Sequence, residues 1–286
     1  EELVRMGHDV TLFASGDSQT SAELIVAGPE SIRLSDLPRD PMIAHLLQLA
    51  EVERRADQFD IIHFHTDYLH FPVFRHNRVP HVTTLHGRID SDDAGRLFAE
   101  FDDVPVISIS ESQRSFQPSA NWIGTVYNGI PEENFDFRAD AGKYLAFIGR
   151  FSPTKGPEQA IDIALQLEMP HKMAAKIDPC DREYYEASIK PLLENPLIEY
   201  VGEVDEQGKN ALFGGAYATL FPIDWPEPFG LVMIESMACG TPVIAYRRGS
   251  VSEVMRDGVT GFIVEDVDEA VCAARRLSDI DRRACR

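Results

Sequence analysis

Two glutamates eight positions apart, Glu227 and Glu235, bracket the segment Glu227-Pro228-Phe229-Gly230-Leu231. A strand ending at Pro222 runs there through a proline-braced loop into a helix that starts near Phe229 to Leu231. The first N–H groups of a helix lack partners within it, and the helix dipole makes that end attractive to an anion. Gly230 has no Cβ, so a ligand can approach its backbone closely. Carboxylates flanking an anion site suit hydroxyl-rich groups on either side, because one carboxylate accepts two hydrogen bonds from a vicinal diol. Sugar hydroxyls, a diphosphate and a ribose diol in series have this order, which is the layout of a nucleotide sugar. The competing reading makes Glu235 a solvated helix residue and Glu227 a loop charge.

A second cluster, Gly149-Arg150-Phe151-Ser152-Pro153-Thr154-Lys155-Gly156, directly follows an apolar strand. Arg150 offers a bidentate fork for phosphate oxygens and Lys155 a mobile point charge. The alternative is that Arg150 pairs with a neighbouring carboxylate. The Gly-x4-Gly-Lys-Ser/Thr spacing is absent, so this is not a Walker loop. Histidine is concentrated early: eight of nine lie between His8 and His86. His63, His65, Asp67 and His70 resemble a metal cluster, but no His-Glu-x-x-His pair supports one. We expect no metal here; these side chains line a site edge or satisfy backbone. His86, at a strand end beside Gly87, can exchange hydrogen bonds with a substrate hydroxyl or carbonyl as a neutral imidazole, or be structural.

These residues need a scaffold that delivers strand ends to one edge. Short Val- and Ile-rich runs at His8–Phe13, Phe59–Phe64, Val79–Leu85 and Val104–Ile109 alternate with a helical period over 42–57. A looser acidic connection follows Val126. The alternation restarts at Lys143–Gly149 with a helix over 157–167, a strand at Lys172–Ile177 and a helix near 181–194. Strands then recur at Ile198–Val201, Ala218–Pro222, Pro242–Tyr246 and Gly261–Val264. This pattern predicts an α/β protein of two Rossmann-like, doubly wound parallel-sheet domains, 1–137 and 143–286, with the ligand at the strands' carboxyl ends in a crevice between them. The length of 286 residues suits two domains, and 27 basic against 47 acidic residues leave a net charge of −20. That balance excludes a nucleic-acid partner and broad docking on an anionic bilayer. Cys180, Cys239, Cys272 and Cys285 form no paired motif, as in a reducing, cytoplasmic compartment. No apolar run is long enough for a membrane span.

Together the motifs resemble the retaining glycosyltransferases of family 4, which have the two-domain GT-B fold. Glu227-Pro-Phe-Gly…Glu235 is a Glu-x7-Glu motif, and Gly149-Arg150…Lys155-Gly156 precedes it in order. Gly7–Phe13, Thr84–Gly87, Asn128–Ile130, Ala238–Ala245 and Asp257–Phe262 also fit in register, and the likeness spans the chain. Its nearest branch is the one related to the glycosyltransferase of the avilamycin pathway. The resemblance implies hexosyl transfer from a nucleotide-diphosphate sugar to an acceptor hydroxyl with retention, without metal or other cofactor. Arg150 and Lys155 would hold the diphosphate, Glu235 the ribose, and Glu227 with the backbone of Phe229, Gly230 and Leu231 the donor sugar. His86 would reach the sugar near its reacting carbon, so His86 and Glu227 are the expected catalytic residues. Asp90-Ser91-Asp92-Asp93 is then a solvated acidic loop and not a metal motif. The acceptor would be a sugar, a lipid-linked or a small molecule, with peripheral membrane contact compatible.

The family pattern also has parts that this sequence lacks. Its opening strand, Gly-rich turn and most of the first helix would lie before Glu1, and its closing helices after Arg286, so both domains read as truncated. Met173–Pro179 replaces a usual apolar strand and Gly-rich turn, which leaves the nucleotide base unspecified. The alternative function is therefore a nucleotide-sugar-binding fragment or degenerate homologue that does not transfer. A two-Rossmann oxidoreductase would need a G-x-G-x-x-G turn, which neither half contains.

Overall fold

The computed structural model describes residues 1–32 and 40–286, which group into two units. The first comprises Glu1–Gly87, Asp92–Ser108 and Ser119–Gly124. Its strands are β1 (Thr11–Ser15), β2 (Glu23–Gly28), β3 (Ile62–Phe64), β4 (His81–Thr84), β5 (Val106–Ser108) and β6 (Trp122–Thr125), the last running to the unit's edge. Strands β1 and β2 pair in parallel as a small sheet, while β3-β4-β5-β6 form a second sheet in chain order. The helix expected over 42–57 runs from Pro41 to Arg54. It starts where it does because Asp40 accepts a hydrogen bond from the Met42 N–H at 2.9 Å and proline occupies the first turn. Strands β2 and β6 were not expected. Each is an outer strand that exposes an apolar residue, Val26 and Ile123, so neither carries the continuous buried run of a central strand.

The second unit comprises Arg88–Ser91, Ile109–Pro118 and Thr125–Arg286. Its strands are β7 (Leu145–Arg150), β8 (His171–Lys176), β9 (Ile198–Gly202), β10 (Ala218–Phe221), β11 (Val243–Tyr246) and β12 (Gly261–Val264). They form one parallel sheet in the order β12-β11-β10-β7-β8-β9. Every residue of β10 and β11 is buried, which is why their sequences read as unbroken apolar runs. Phe147, Phe151, Ile161, Ile163, Met173, Leu220 and Met233 pack into the core between this sheet and its helices. The helix expected near 181–194 is instead broken. A short turn at Arg182–Tyr184 widens into a π-helix at Tyr185–Ile189 and ends in a 3-10 turn at Leu192–Glu194. Pro191 lacks the N–H that would have continued it.

This strand order reverses direction between β7 and β10, which pair at Ala218 with Leu145 and Thr219 with Ala146. An open parallel sheet binds ligands at such a switch point, outside the carboxyl ends of its strands. The loops leaving β7 and β10 meet there through a hydrogen bond from the Asp224 N–H to the Thr154 carbonyl at 2.9 Å. Gly156 closes the β7 loop in the left-handed region at φ 69°, and a Cβ on it would run into the carbonyl of Pro222. Gly156→Ala should therefore destabilise the protein by more than the roughly 1–2 kcal/mol of a left-handed L-residue, read as a lower urea midpoint at unchanged slope. A midpoint within error of wild type would contradict this packing.

Candidate functional site

The loops at this switch point hold an ion pair. Lys155 ends a 3-10 turn, Pro153–Lys155, and its Nζ lies 2.6 Å from Glu227 Oε2. The two side chains are 19% and 12% exposed, so the pair is shielded but reachable. Lys155 Nζ also sits 4.6 Å above the Trp225 ring, a cation–π distance, and the indole Nε1–H is buried without a hydrogen-bond partner. A third loop, after β11, braces the glutamate from behind. The Ser250 N–H donates to the Glu227 carbonyl at 3.0 Å, the Ser250 hydroxyl donates to the Phe229 carbonyl at 2.8 Å, and Gly249 packs where a Cβ would strike Glu227 backbone. Lys155 is thus held in place, not the mobile charge expected from its type.

Glu235 lies in the helix Leu231–Ala238 and is 7% exposed, which overturns the reading of a solvated helix residue. Its Oε1 accepts from Lys209 Nζ at 2.8 Å. Lys209 is delivered by the helix Glu206–Gly214, whose start is fixed by Asp205 accepting from the Gly208 N–H at 2.8 Å. Phe229 is buried, Leu231 is exposed, and no side chain caps the start of the helix Leu231–Ala238. Gly230 opens this helix in the left-handed region. At φ 83°, a Cβ there would meet Met233 Cε at 2.6 Å and the Phe221 ring at 3.2 Å. Its missing side chain serves the turn and the packing beneath it.

Arg150 ends β7. Its guanidinium meets Asp178 at 3.1 Å, and Lys176, its register partner on β8, meets the same carboxylate at 2.5 Å. Lys176 first, then Arg150, holds the Asp178 carboxyl below its usual range. The alternative of a structural ion pair is therefore the arrangement seen for Arg150. Sequence reasoning missed Lys176, Asp178, Lys209 and Trp225. Lys176 and Asp178 had a signal in the charged replacement at Met173–Pro179, and Trp225 in its place two residues before Glu227, whereas Lys209 had none.

In the first unit His86 Nε2 and His65 Nδ1 share a hydrogen bond of 2.9 Å, so one ring donates and the other accepts, and their tautomers are linked. The His86 N–H donates to Asp67 Oδ1 at 3.2 Å, and His63 Nε2 lies 2.7 Å from the Thr84 hydroxyl. Of the cluster expected to line a site edge or satisfy backbone, Asp67 takes a main-chain N–H, while His63 and His65 engage side chains. Burial, then the neighbouring His63 and His86, pushes the His65 imidazole down to about 4, and burial also lowers His63. His70 stands apart as a core residue stacked 3.7 Å from Phe64, with Nε2 2.8 Å from the Thr83 hydroxyl. A cavity of about 250 Å3 is lined by His45, His65, Thr66, Asp67, Tyr68 and Leu69. Among the described residues no group of three His, Cys, Asp or Glu is placed to hold a metal ion. Asp90-Ser91-Asp92-Asp93 is not simply a solvated loop. Asp90 takes a two-point contact from Arg88 at 2.9 and 2.8 Å, and Asp92 and Asp93 open the helix Asp92–Glu100.

A family model described as glycosyl transferases group 1 matches residues 130–280, more than half of the chain. The protein belongs to the group 1 glycosyltransferase family. A second model, glycosyltransferase family 4, matches residues 1–136. An uncharacterized glycosyltransferase of Methanocaldococcus jannaschii is 27% identical across 92% of this chain and 78% of its own length. The D-inositol 3-phosphate glycosyltransferase of Frankia alni is 26% identical across 94% of this chain and 80% of its own. Among solved structures, Thermosynechococcus elongatus sucrose-phosphate synthase superposes with a TM-score of 0.79 at 20% identity, over 99% of this chain and 83% of that one. Anabaena HepE in complex with UDP and glucose gives 0.71 at 19% identity, over 92% and 79%. Those likenesses concern the fold, which is the α/β, two-Rossmann-unit GT-B class. Among the described residues no helix is long and apolar enough to cross a membrane.

The lowered His65 value carries a sign that can be measured. Between about 6.5, the ordinary histidine value, and about 4, the unfolded chain takes up a proton at this position that the folded chain refuses. Stability from His65 is thus lost as pH falls through that window. In an NMR titration the His65 ring should stay neutral from pH 8 down to about 5. A midpoint near 6.5 would contradict the lowered His65 value.

Proposed function

We propose that the protein transfers a hexosyl group from a nucleotide-diphosphate sugar to an acceptor hydroxyl with retention of anomeric configuration, as a family 4 enzyme. The observation that carries this reading is the shielded Lys155–Glu227 pair at the switch point, where a cation for a diphosphate and a carboxylate for sugar hydroxyls stand side by side. Lys155 and Arg150 take the diphosphate, and Arg150 does so by sharing its contact with Asp178. Glu235, fixed by Lys209, takes the ribose diol. Glu227 and the backbone at Phe229, Gly230 and Leu231 hold the donor sugar, and His86 acts near the reacting carbon. The HepE complexes with UDP and glucose and with UDP-glucose support the donor class.

In this reaction the bond between the anomeric carbon and the β-phosphate oxygen breaks while the acceptor oxygen bonds to the same face of that carbon. The acceptor proton passes to the departing phosphate oxygen, leaving nucleoside diphosphate and glycoside. Negative charge grows on the leaving diphosphate, and cations aimed at it lower the barrier because they bind the transition state more tightly than the donor. In this reading Arg150, Lys155 and the helix start supply positive charge without a metal ion. The acceptor is a sugar, lipid-linked or small-molecule alcohol, and the setting is cytoplasmic.

The test uses UDP-, GDP- and ADP-sugars with a panel of acceptor alcohols, in the presence of EDTA. We expect release of one nucleoside diphosphate, and a product whose anomeric configuration by NMR matches the donor. Lys155→Ala and Glu227→Ala should each lower kcat/KM by about 10²-fold or more, the scale of a lost charge-stabilising group. Absence of both donor binding and turnover across the panel would overturn the proposal.

A further inference from the structure

Lys155 and Glu227 satisfy one another in the ligand-free protein, and that has a consequence for which nucleotide the site retains. The Glu227 carboxylate is largely shielded, and its main chain is pinned by Ser250 and Gly249, so it cannot swing out to water with its loop. Among the described residues its one side-chain partner is Lys155. A diphosphate that draws Lys155 away leaves this carboxylate shielded and unpaired, and an orphaned buried charge is strongly unfavourable. A nucleotide sugar avoids that penalty, because its sugar hydroxyls bond the carboxylate as the phosphate takes the ammonium. A bare nucleoside diphosphate cannot.

We propose that the Lys155–Glu227 ion pair is an internal competitor that makes the site select nucleotide sugar over its own nucleoside diphosphate product. This rests on the donor-site reading above. Once the sugar has been transferred, Glu227 is orphaned and reclaims Lys155, which loosens the spent nucleotide and hastens its departure. Trp225, 4.6 Å below the ammonium, keeps Lys155 over one spot during the exchange, so that the swap is a short displacement. Glu235 makes a contrast within the same site. Its partner Lys209 lies on a different helix, and the ribose it would bind is present in donor and product alike. Of the two glutamates, Glu227 is the one that can tell donor from product.

Calorimetry on the full chain with UDP, GDP and ADP and with their glucose conjugates, without acceptor, tests this. For the carrier the protein uses, wild type should bind the sugar nucleotide about tenfold or more tightly than the bare diphosphate, the scale of a hydrogen bond to a charged group. Glu227→Gln, which keeps shape but releases the ammonium, should bind the bare diphosphate about tenfold more tightly than wild type, with the sugar nucleotide no tighter. Glu227→Ala should do the same, while Glu235→Gln should weaken both ligands about equally. A wild type that binds none of the six ligands overturns the donor-site reading and the exchange with it. Wild-type binding combined with unchanged or weaker diphosphate affinity in both Glu227 variants overturns the exchange alone.

Discussion

The close approach of the β7 and β10 loops is the constraint on which the site depends. It exists because neighbouring strands in the sheet send their chains to opposite sides, opening a gap at their carboxyl ends. The gap is then narrowed by two main-chain features, the Asp224 to Thr154 hydrogen bond and the left-handed turn of Gly156 against Pro222. Neither involves a charged side chain. Backbone geometry sets the distance, and the ion pair of Lys155 and Glu227 forms within it. The β11 loop adds Ser250 and Gly249 behind Glu227, so strands β7, β10 and β11 each contribute one wall.

Electrostatics explain why this edge stands out in an acidic protein. With a net charge of −20, the protein repels anions at long range, so an anionic ligand must be won by local contacts. Each cation of the region is already held by a carboxylate: Lys155 by Glu227, Lys209 by Glu235, and Arg150 with Lys176 by Asp178. Such pairs hold the cations in place at modest net energy, since desolvation offsets much of the attraction. A phosphate therefore meets fixed charges and has only to displace a partner that another part of the ligand can satisfy.

Much of the second unit is legible in the sequence because its strands are buried on both faces and its motifs sit at strand ends. Gly261–Val264 could be read residue for residue, and the helix 157–167 to within one position. The Glu227 and Lys155 loops were also readable, because prolines and glycines fix loop shape locally. Partners brought from distant sequence were not. Nothing near Lys209 or Arg150 in the chain says which carboxylate each will meet, since those meetings are set by helix packing and strand register. Gly230 follows the same rule: a glycine marks a place without room for a side chain, but not that Met233 and Phe221 fill it. In the first unit β2 and β6 escaped notice as outer strands with exposed apolar residues. The pairing of His65 with His86 depends on the register of β3 beside β4, which no spacing rule encodes.

The central claim is that a nucleotide sugar binds at the switch point by taking over both halves of the Lys155–Glu227 pair. A crystal structure of the full chain soaked with its preferred nucleotide sugar tests this most directly. The account predicts the diphosphate within hydrogen-bond distance of Lys155 Nζ, sugar hydroxyls on the Glu227 carboxylate, and the ion pair opened. A nucleotide sugar bound with the 2.6 Å contact intact, or at another edge of the sheet, would contradict it.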